Sequence, residues 1–171
     1  MEFELTTTEV LELIHSAPRL RMAVRGWVAE EHLTRALERD EGVSEVRRLE
    51  AEGGPDVQVI FQGVAVTIEC KNVLRKTNAS GLPRLDFQRT RASMKDPCSR
   101  YYAPTDFQIV AACLHAVTDR WEFRFRPTFE LAPHPRCPDR LDHRVRVDAR
   151  WTSDPGVAMA ALLARSPLGA A

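Results

Sequence analysis

Gly53-Gly54-Pro55-Asp56-Val57-Gln58-Val59-Ile60-Phe61-Gln62-Gly63-Val64-Ala65-Val66-Thr67-Ile68-Glu69-Cys70-Lys71 carries most of the architectural information in this 171-residue chain. Two runs rich in β-branched residues, 57–61 and 64–68, flank Gln62-Gly63, so the segment predicts a β-hairpin. Gly53 and Gly54 permit a tight approach, and Pro55 restricts the backbone just ahead of Asp56. Side chains alternate along a strand. Val66, Ile68 and Cys70 therefore share one face of the second strand, and Thr67, Glu69 and Lys71 share the other. Two carboxylates and one ammonium on adjacent strands can converge on a divalent cation and a phosphate.

Upstream, Thr6-Thr7-Thr8-Glu9 before Val10, Leu11, Leu13 and Ile14 reads as a capped short helix closed by Ser16-Ala17-Pro18. A second helix is predicted over about 26–39, with Trp27, Leu33, Ala36 and Leu37 on its apolar side. Val43 to Leu49 reads as a first strand. Downstream, 72–83 is a polar loop, and Leu85 to Met94 reads as a helix broken by Asp96-Pro97. Phe107 to Leu114 is an apolar run suited to a strand buried on both faces. Trp121, Phe123 and Phe125 alternate with Glu122, Arg124 and Arg126, which predicts a strand with one solvated face. A proline-rich connector over 127–138, a possible strand over 144–148 and an Ala/Leu-rich C-terminal helix complete the chain.

With 44% hydrophobic residues, the chain has the material for one well-buried domain. Its net charge is zero, which excludes a polycation that would coat nucleic acid along its whole surface. The charge is uneven, however. From Lys71 to Arg100 bases dominate, whereas from Val28 to Asp56 acids do. A basic surface beside an acidic pocket suits a polyanionic ligand. Among 24 basic residues only Lys71, Lys76 and Lys95 are lysines, and only Lys71 stands two positions after an acid.

Cys70, Cys98, Cys113 and Cys137 are scattered, and Cys70 and Cys113 read as small buried apolar residues. His134, Cys137 and His143 are of zinc-ligand type, but Pro133, Pro135 and Pro138 make a loop the better reading. The acidic start lacks a signal-peptide pattern and no apolar run is long enough to span a bilayer, so a reducing cytoplasm is the expected setting.

Pro55-Asp56, then about a dozen residues, then Glu69-Cys70-Lys71 on a hairpin resembles the PD-(D/E)XK nuclease superfamily, the restriction-endonuclease-like fold. A second Pro-Asp, Pro138-Asp139, has no acid-x-Lys after it. The resemblance implies an α/β fold: a restriction-endonuclease-like core, its central mixed sheet flanked by helices, with extra terminal helices. It implies a single domain over 1–171, with a core of about 26–126 and additions at 1–25 and 127–171. The implied activity is metal-dependent hydrolysis of DNA phosphodiester bonds by a restriction or defence endonuclease. The alternatives are a structure-selective nuclease of the Holliday-junction-resolvase type and a non-catalytic nucleic-acid-binding module.

The resemblance also suggests residue roles. Asp56 and Glu69, with the backbone carbonyl of Cys70, would hold Mg²⁺, with Mn²⁺ as a substitute. Hard cations favour oxygen ligands and retain waters, so two carboxylates suffice. Two bare carboxylates would repel one another, which makes the pair a better cation site than an acid–base dyad. Lys71 would meet the phosphate or the attacking water, as a compact ammonium whose pKa can fall in a crowded site. Glu30, in Gly26-Trp27-Val28-Ala29-Glu30, and Gln88, on the expected helix after the hairpin, are further catalytic candidates; Glu31 is the rival of Glu30. Arg89, Arg91, Lys95, Arg100 and Tyr101, with Tyr102 as a second aromatic, are candidate nucleic-acid contacts, through bidentate guanidinium–phosphate pairing and aromatic stacking. DNA as partner and a homodimer follow, because two antiparallel strands are naturally cut by two related sites.

Overall fold

A two-residue turn organises the centre of the protein. Gln62 (φ 50°) and Gly63 (φ 78°) both adopt the left-handed conformation that a type I′ hairpin turn demands. The computed structural model describes residues 4–51, 53–77, 79–89 and 93–165. Around this turn β2 (Val57–Phe61) pairs antiparallel with β3 (Val64–Asn72), and β1 (Val43–Arg48) lies on the other side of β2. A three-residue strand, β4 (Arg84–Asp86), leaves this layer before the chain returns as β5 (Ile109–Cys113) and β6 (Phe123–Pro127). The main sheet has the order β1-β2-β3-β5-β6 and is mixed, because β3 and β5 run parallel while the other neighbours are antiparallel. This is the expected α/β architecture, a central mixed sheet flanked by helices.

Two helices precede the sheet. α1 (Thr7–Ser16) starts on the predicted capping box, in which the Thr6 hydroxyl accepts from Glu9 N–H and the Glu9 carboxylate accepts from Thr6 N–H. α2 (Pro18–Leu37) begins earlier than the sequence suggests, since Pro18 serves as its first residue. Ala29, Leu33 and Leu37, spaced by four, form its buried stripe. Trp27 lies about 200° around the helix from Ala29. Contrary to expectation it is 55% exposed, with the Arg48 guanidinium 4.7 Å from its ring centroid.

Beyond β5, the single turn α3 (His115–Thr118) leads to β6, followed by β7 (Pro133–His134), β8 (Cys137–Leu141), β9 (Arg144–Arg146) and α4 (Pro155–Arg165). The sheet separates two cores. On one face Val66, Ile68 and Cys70 pack with the α2 stripe and with Ala158 and Met159 of α4. On the other, Val110 and Ala112 pack with Leu85, Phe87, Tyr102, Phe107 and Val145. The described residues from 128 to 163 thus contribute side chains to both cores.

Several local expectations fail for physical reasons. Leu85 and Phe87 are buried while Asp86 is exposed, a period-two pattern that belongs to the β4–β9 ribbon rather than to a helix over 85–94. The part of that expected helix at 90–92 lies outside the described residues. Trp121 precedes β6 and is sandwiched between His32 and His115, at 4.3 and 4.0 Å between ring centroids. Arg126 on the supposedly solvated face is buried, and its guanidinium donates to the Glu130 carboxylate and to the Glu130 carbonyl. The connector over 127–138 holds a 3₁₀ turn and the start of the β7–β8 pair.

Cys70 and Cys113 are buried free thiols, as expected, whereas Cys98 and Cys137 form a disulfide across 39 residues. Cys137 is therefore held by sulfur in this state rather than offered to zinc. Such a bond is unusual in a reducing compartment. Thiol titration of the protein unfolded without reductant is expected to count two reactive cysteines, rising to four after reduction. Four thiols before reduction would contradict the pairing.

Candidate active site

Backbone pairing brings the motif residues together. Asp56 sits one residue before β2, and its N–H donates to the Ile68 carbonyl across the hairpin. Its Oδ2 accepts the Cys70 N–H at 2.7 Å, which holds the carboxylate against the Cys70 peptide. Glu69 and Lys71 lie opposite Val110 and Ala112 in the β3–β5 register and share the predicted face. Lys71 Nζ lies 2.6 Å from Glu69 Oε1. The same oxygen accepts the Tyr102 hydroxyl at 2.7 Å, so two donors occupy one side of a buried carboxylate. Glu69 Oε2 is buried and, among the described residues, has no hydrogen-bond partner. A buried carboxylate oxygen left bare is costly unless something positive meets it.

Tyr102, expected as an aromatic for nucleic acid, is instead buried in this cluster, a placement that sequence spacing does not disclose. It stands 33 residues beyond Glu69, after a 3₁₀ turn at Pro97–Arg100. Phe87 and Phe107 clamp its ring at 4.9 and 5.1 Å between centroids. The Lys71 ammonium and the Arg89 guanidinium lie 5.4 and 5.3 Å from the ring centroid. A tyrosine buried among aromatics with a carboxylate to bond is well placed to fix that carboxylate's rotamer.

The electrostatics reflect burial first and the neighbouring charges second. Burial, reinforced by the nearby Glu69 charge, pushes the Asp56 carboxyl up from near 3.8 to about 7. Burial alone would discharge Lys71, but the adjoining Glu69 carboxylate more than offsets this and holds the ammonium well above its ordinary range. The expected fall in the Lys71 pKa is therefore reversed, and Lys71 is a fixed positive charge in the metal-free protein. Burial likewise raises the Tyr102 phenol, keeping it a hydrogen-bond donor.

The remaining candidates divide. Glu30 is near enough to add to the upward push on Asp56, yet its carboxylate is engaged by Arg48 at 2.9 Å. The rival Glu31 pairs with Arg35 at 2.8 Å. Gln88 bridges to Tyr101 and donates its amide to Asp86 rather than to the carboxylate pair. Arg89 is tied to Asp106 at 2.7 Å. Lys95 and Arg100 are exposed. Tyr101 is already stacked on His134, at 4.1 Å between centroids, so one ring face is taken. Arg91 lies outside the described residues.

Whether the cluster suits a divalent cation can be judged from its donors. Among the described residues no group of three or more His, Cys, Asp and Glu side chains gathers in metal-binding geometry. Asp56 and Glu69 supply two carboxylates, Glu69 with an oxygen that is buried and bare among the described residues, and Asp56 resisting ionisation because it is buried beside the Glu69 charge. That pair fits a hard cation that keeps much of its water.

No protein family matches the chain, and no curated protein does. Among solved structures, a bacterial homing endonuclease, I-Ssp6803I, superposes with a TM-score of 0.46 at 20% sequence identity. The match covers 62% of this chain and 68% of that one. Among the described residues no helix is long and apolar enough to cross a membrane.

Proposed function

We propose that the protein is a metal-dependent DNA endonuclease of the PD-(D/E)XK type, acting in restriction or defence. The observation that carries this reading is the bare, buried Oε2 of Glu69 beside Asp56, with Lys71 fixed on the same carboxylate. Asp56 and Glu69, with the Cys70 carbonyl, would hold Mg²⁺, which when bound supplies charge to offset the phosphate and to acidify a water. Lys71 presents a permanent positive charge to the scissile phosphate. Tyr102 holds Glu69 Oε1 and thereby fixes where Oε2 lies. Glu30 and Gln88 remain part of the proposal as flanking groups, Glu30 after release from Arg48.

A homodimer belongs to the same proposal. α1 buries none of its residues, and Leu11, Leu13, Met22 and Trp27 are exposed on α1 and α2. An apolar surface of this kind is commonly covered by a partner. Light scattering that reports a monomer at micromolar concentration would remove this part. The cytoplasmic setting is also a proposal, set against the disulfide.

The deciding experiment incubates the protein with plasmid and with a four-way junction, with and without Mg²⁺. Discrete plasmid fragments that require Mg²⁺ support the proposal. Cutting of junctions alone favours a resolvase. Binding without cleavage across several metals favours a non-catalytic module. Tyr102→Phe sharpens the assignment of Tyr102: it is expected to raise the Mg²⁺ concentration for half-maximal cleavage by about 10- to 100-fold, the usual cost of losing a group that orients a metal ligand. Saturating Mg²⁺ should restore much of the rate. An unchanged Mg²⁺ requirement would reduce Tyr102 to a packing role.

A further inference from the structure

The β4–β9 ribbon carries a charge pattern that the rest of the fold does not neutralise. Leu85 and Val145 point into the second core, so alternation sends Arg84, Asp86, Arg144 and Arg146 outward, where all four are exposed. The antiparallel register sets Arg84 directly opposite Arg146 and Asp86 opposite Arg144. Like charges directly across a ladder are destabilising unless an anion lies over them. Asp86 accepts the Gln88 amide, and among the described residues it forms no ion pair with Arg144. Among the described residues the guanidiniums of Arg84, Arg144 and Arg146 have no side-chain partner.

These three line a cleft of about 620 Å³ whose walls include Arg126 and Arg150. Those two are committed within the fold, Arg126 to Glu130 at 3.1 Å and Arg150 to Asp148 at 2.6 Å. Glu130 and Asp142 also line the cleft, so its five arginines outnumber its two acids in a protein of zero net charge. The ribbon also packs on the same core as the candidate active site. Leu85 and Val145 share a core with Tyr102, whose hydroxyl bonds Glu69, and the ribbon covers the same face of the sheet as Glu69 and Lys71.

We propose that the outer face of the β4–β9 ribbon is the docking surface for the phosphodiester backbone of duplex DNA, with Arg84, Arg144 and Arg146 pairing with its phosphates. Guanidinium forks match phosphate oxygens bidentately, and free guanidiniums have no internal bond to give up on binding. The inference rests on the nuclease reading for its ligand. It differs from the sequence expectation, which placed the DNA-binding residues on the segment from Arg89 to Tyr101.

The test is fluorescence anisotropy of a labelled duplex in EDTA across a salt series. It compares wild type, the triple variant Arg84→Gln, Arg144→Gln, Arg146→Gln, and a control of equal net charge, Arg39→Gln, Arg47→Gln, Arg120→Gln. The ribbon variant is expected to bind about 10- to 100-fold more weakly near 0.1 M salt. Its salt slope should be shallower by about 0.9 for each phosphate that is no longer neutralised, so by up to about 3. The control should match wild type, and circular dichroism should show all three proteins folded, since only exposed side chains change. Equal affinity and slope for wild type and ribbon variant would overturn the inference, as would an equal weakening in the control. Saturation by inorganic phosphate with no duplex binding would overturn it too. Duplex binding that depends on the ribbon but never leads to cleavage would remove the nuclease reading while leaving this surface standing.

Discussion

Glu69→Ala is expected to abolish Mg²⁺-dependent cleavage, with a drop of at least about 10³-fold, the scale on which removing one dominant charge-stabilising group acts. The substitution removes three things at once. It deletes the bare Oε2 available to a cation, the acceptor of the Tyr102 hydroxyl, and the counter-charge that keeps Lys71 ionised. Folding should survive, because the Lys71 side chain is 27% exposed and its ammonium can turn toward water. Duplex binding measured in EDTA should therefore persist. Glu69→Gln separates the contributions: an amide oxygen can still accept from Tyr102 and Lys71, but it lacks the charge. If Glu69→Gln is as inactive as Glu69→Ala, the carboxylate is needed as a charge rather than as a spacer. Wild-type cleavage by Glu69→Ala would end the metal-site assignment. Lys71→Ala should fall nearly as far, and Lys71→Arg should not restore activity, since a planar fork does not replace a compact ammonium.

How far the site is legible in the residues alone depends on whether periodicity or long-range folding places each one. The shared face of Glu69 and Lys71 follows from the period of two within one strand, and the turn at Gln62-Gly63 fixes Asp56 beside them. The α1 cap is equally local, written in Thr6 and Glu9. Tyr102 has no such signal. It reaches Glu69 only because the chain after β3 makes a ribbon and a 3₁₀ turn instead of a helix. Around Leu85 the helix-like reading fails because β4 finds its partner some sixty residues later in β9, a pairing that no local window contains. The same limit hides the Glu30–Arg48 pair, the burial of Arg126 and the Cys98–Cys137 bond, each closed by tertiary structure.

Asp56→Asn is expected to stabilise the metal-free protein while destroying its activity. The Asp56 carboxyl is pushed up to about 7 in the fold from near 3.8 when unfolded. Because the folded value is the higher one, the associated stability is fully present below about pH 4 and is lost as pH rises toward and through 7. At roughly 1.4 kcal/mol for each pH unit between the two values, the metal-free fold forgoes about 4 kcal/mol above pH 7. Asparagine never ionises, and its side-chain oxygen can still accept the Cys70 N–H. In EDTA at pH 8, urea denaturation should place Asp56→Asn a few kcal/mol above wild type, with the gap shrinking by more than half at pH 5. Mg²⁺ should raise the midpoint of wild type at pH 8 and leave the variant nearly unmoved, since a cation that binds only the folded state stabilises by mass action. A variant less stable than wild type at pH 8, or a gap independent of pH, would refute this account of the site's electrostatics. The cation and the fold are opposed here through one carboxylate. The charge that would make Asp56 a ligand is the charge that the metal-free hairpin resists, and relief of that conflict would itself be a source of metal affinity.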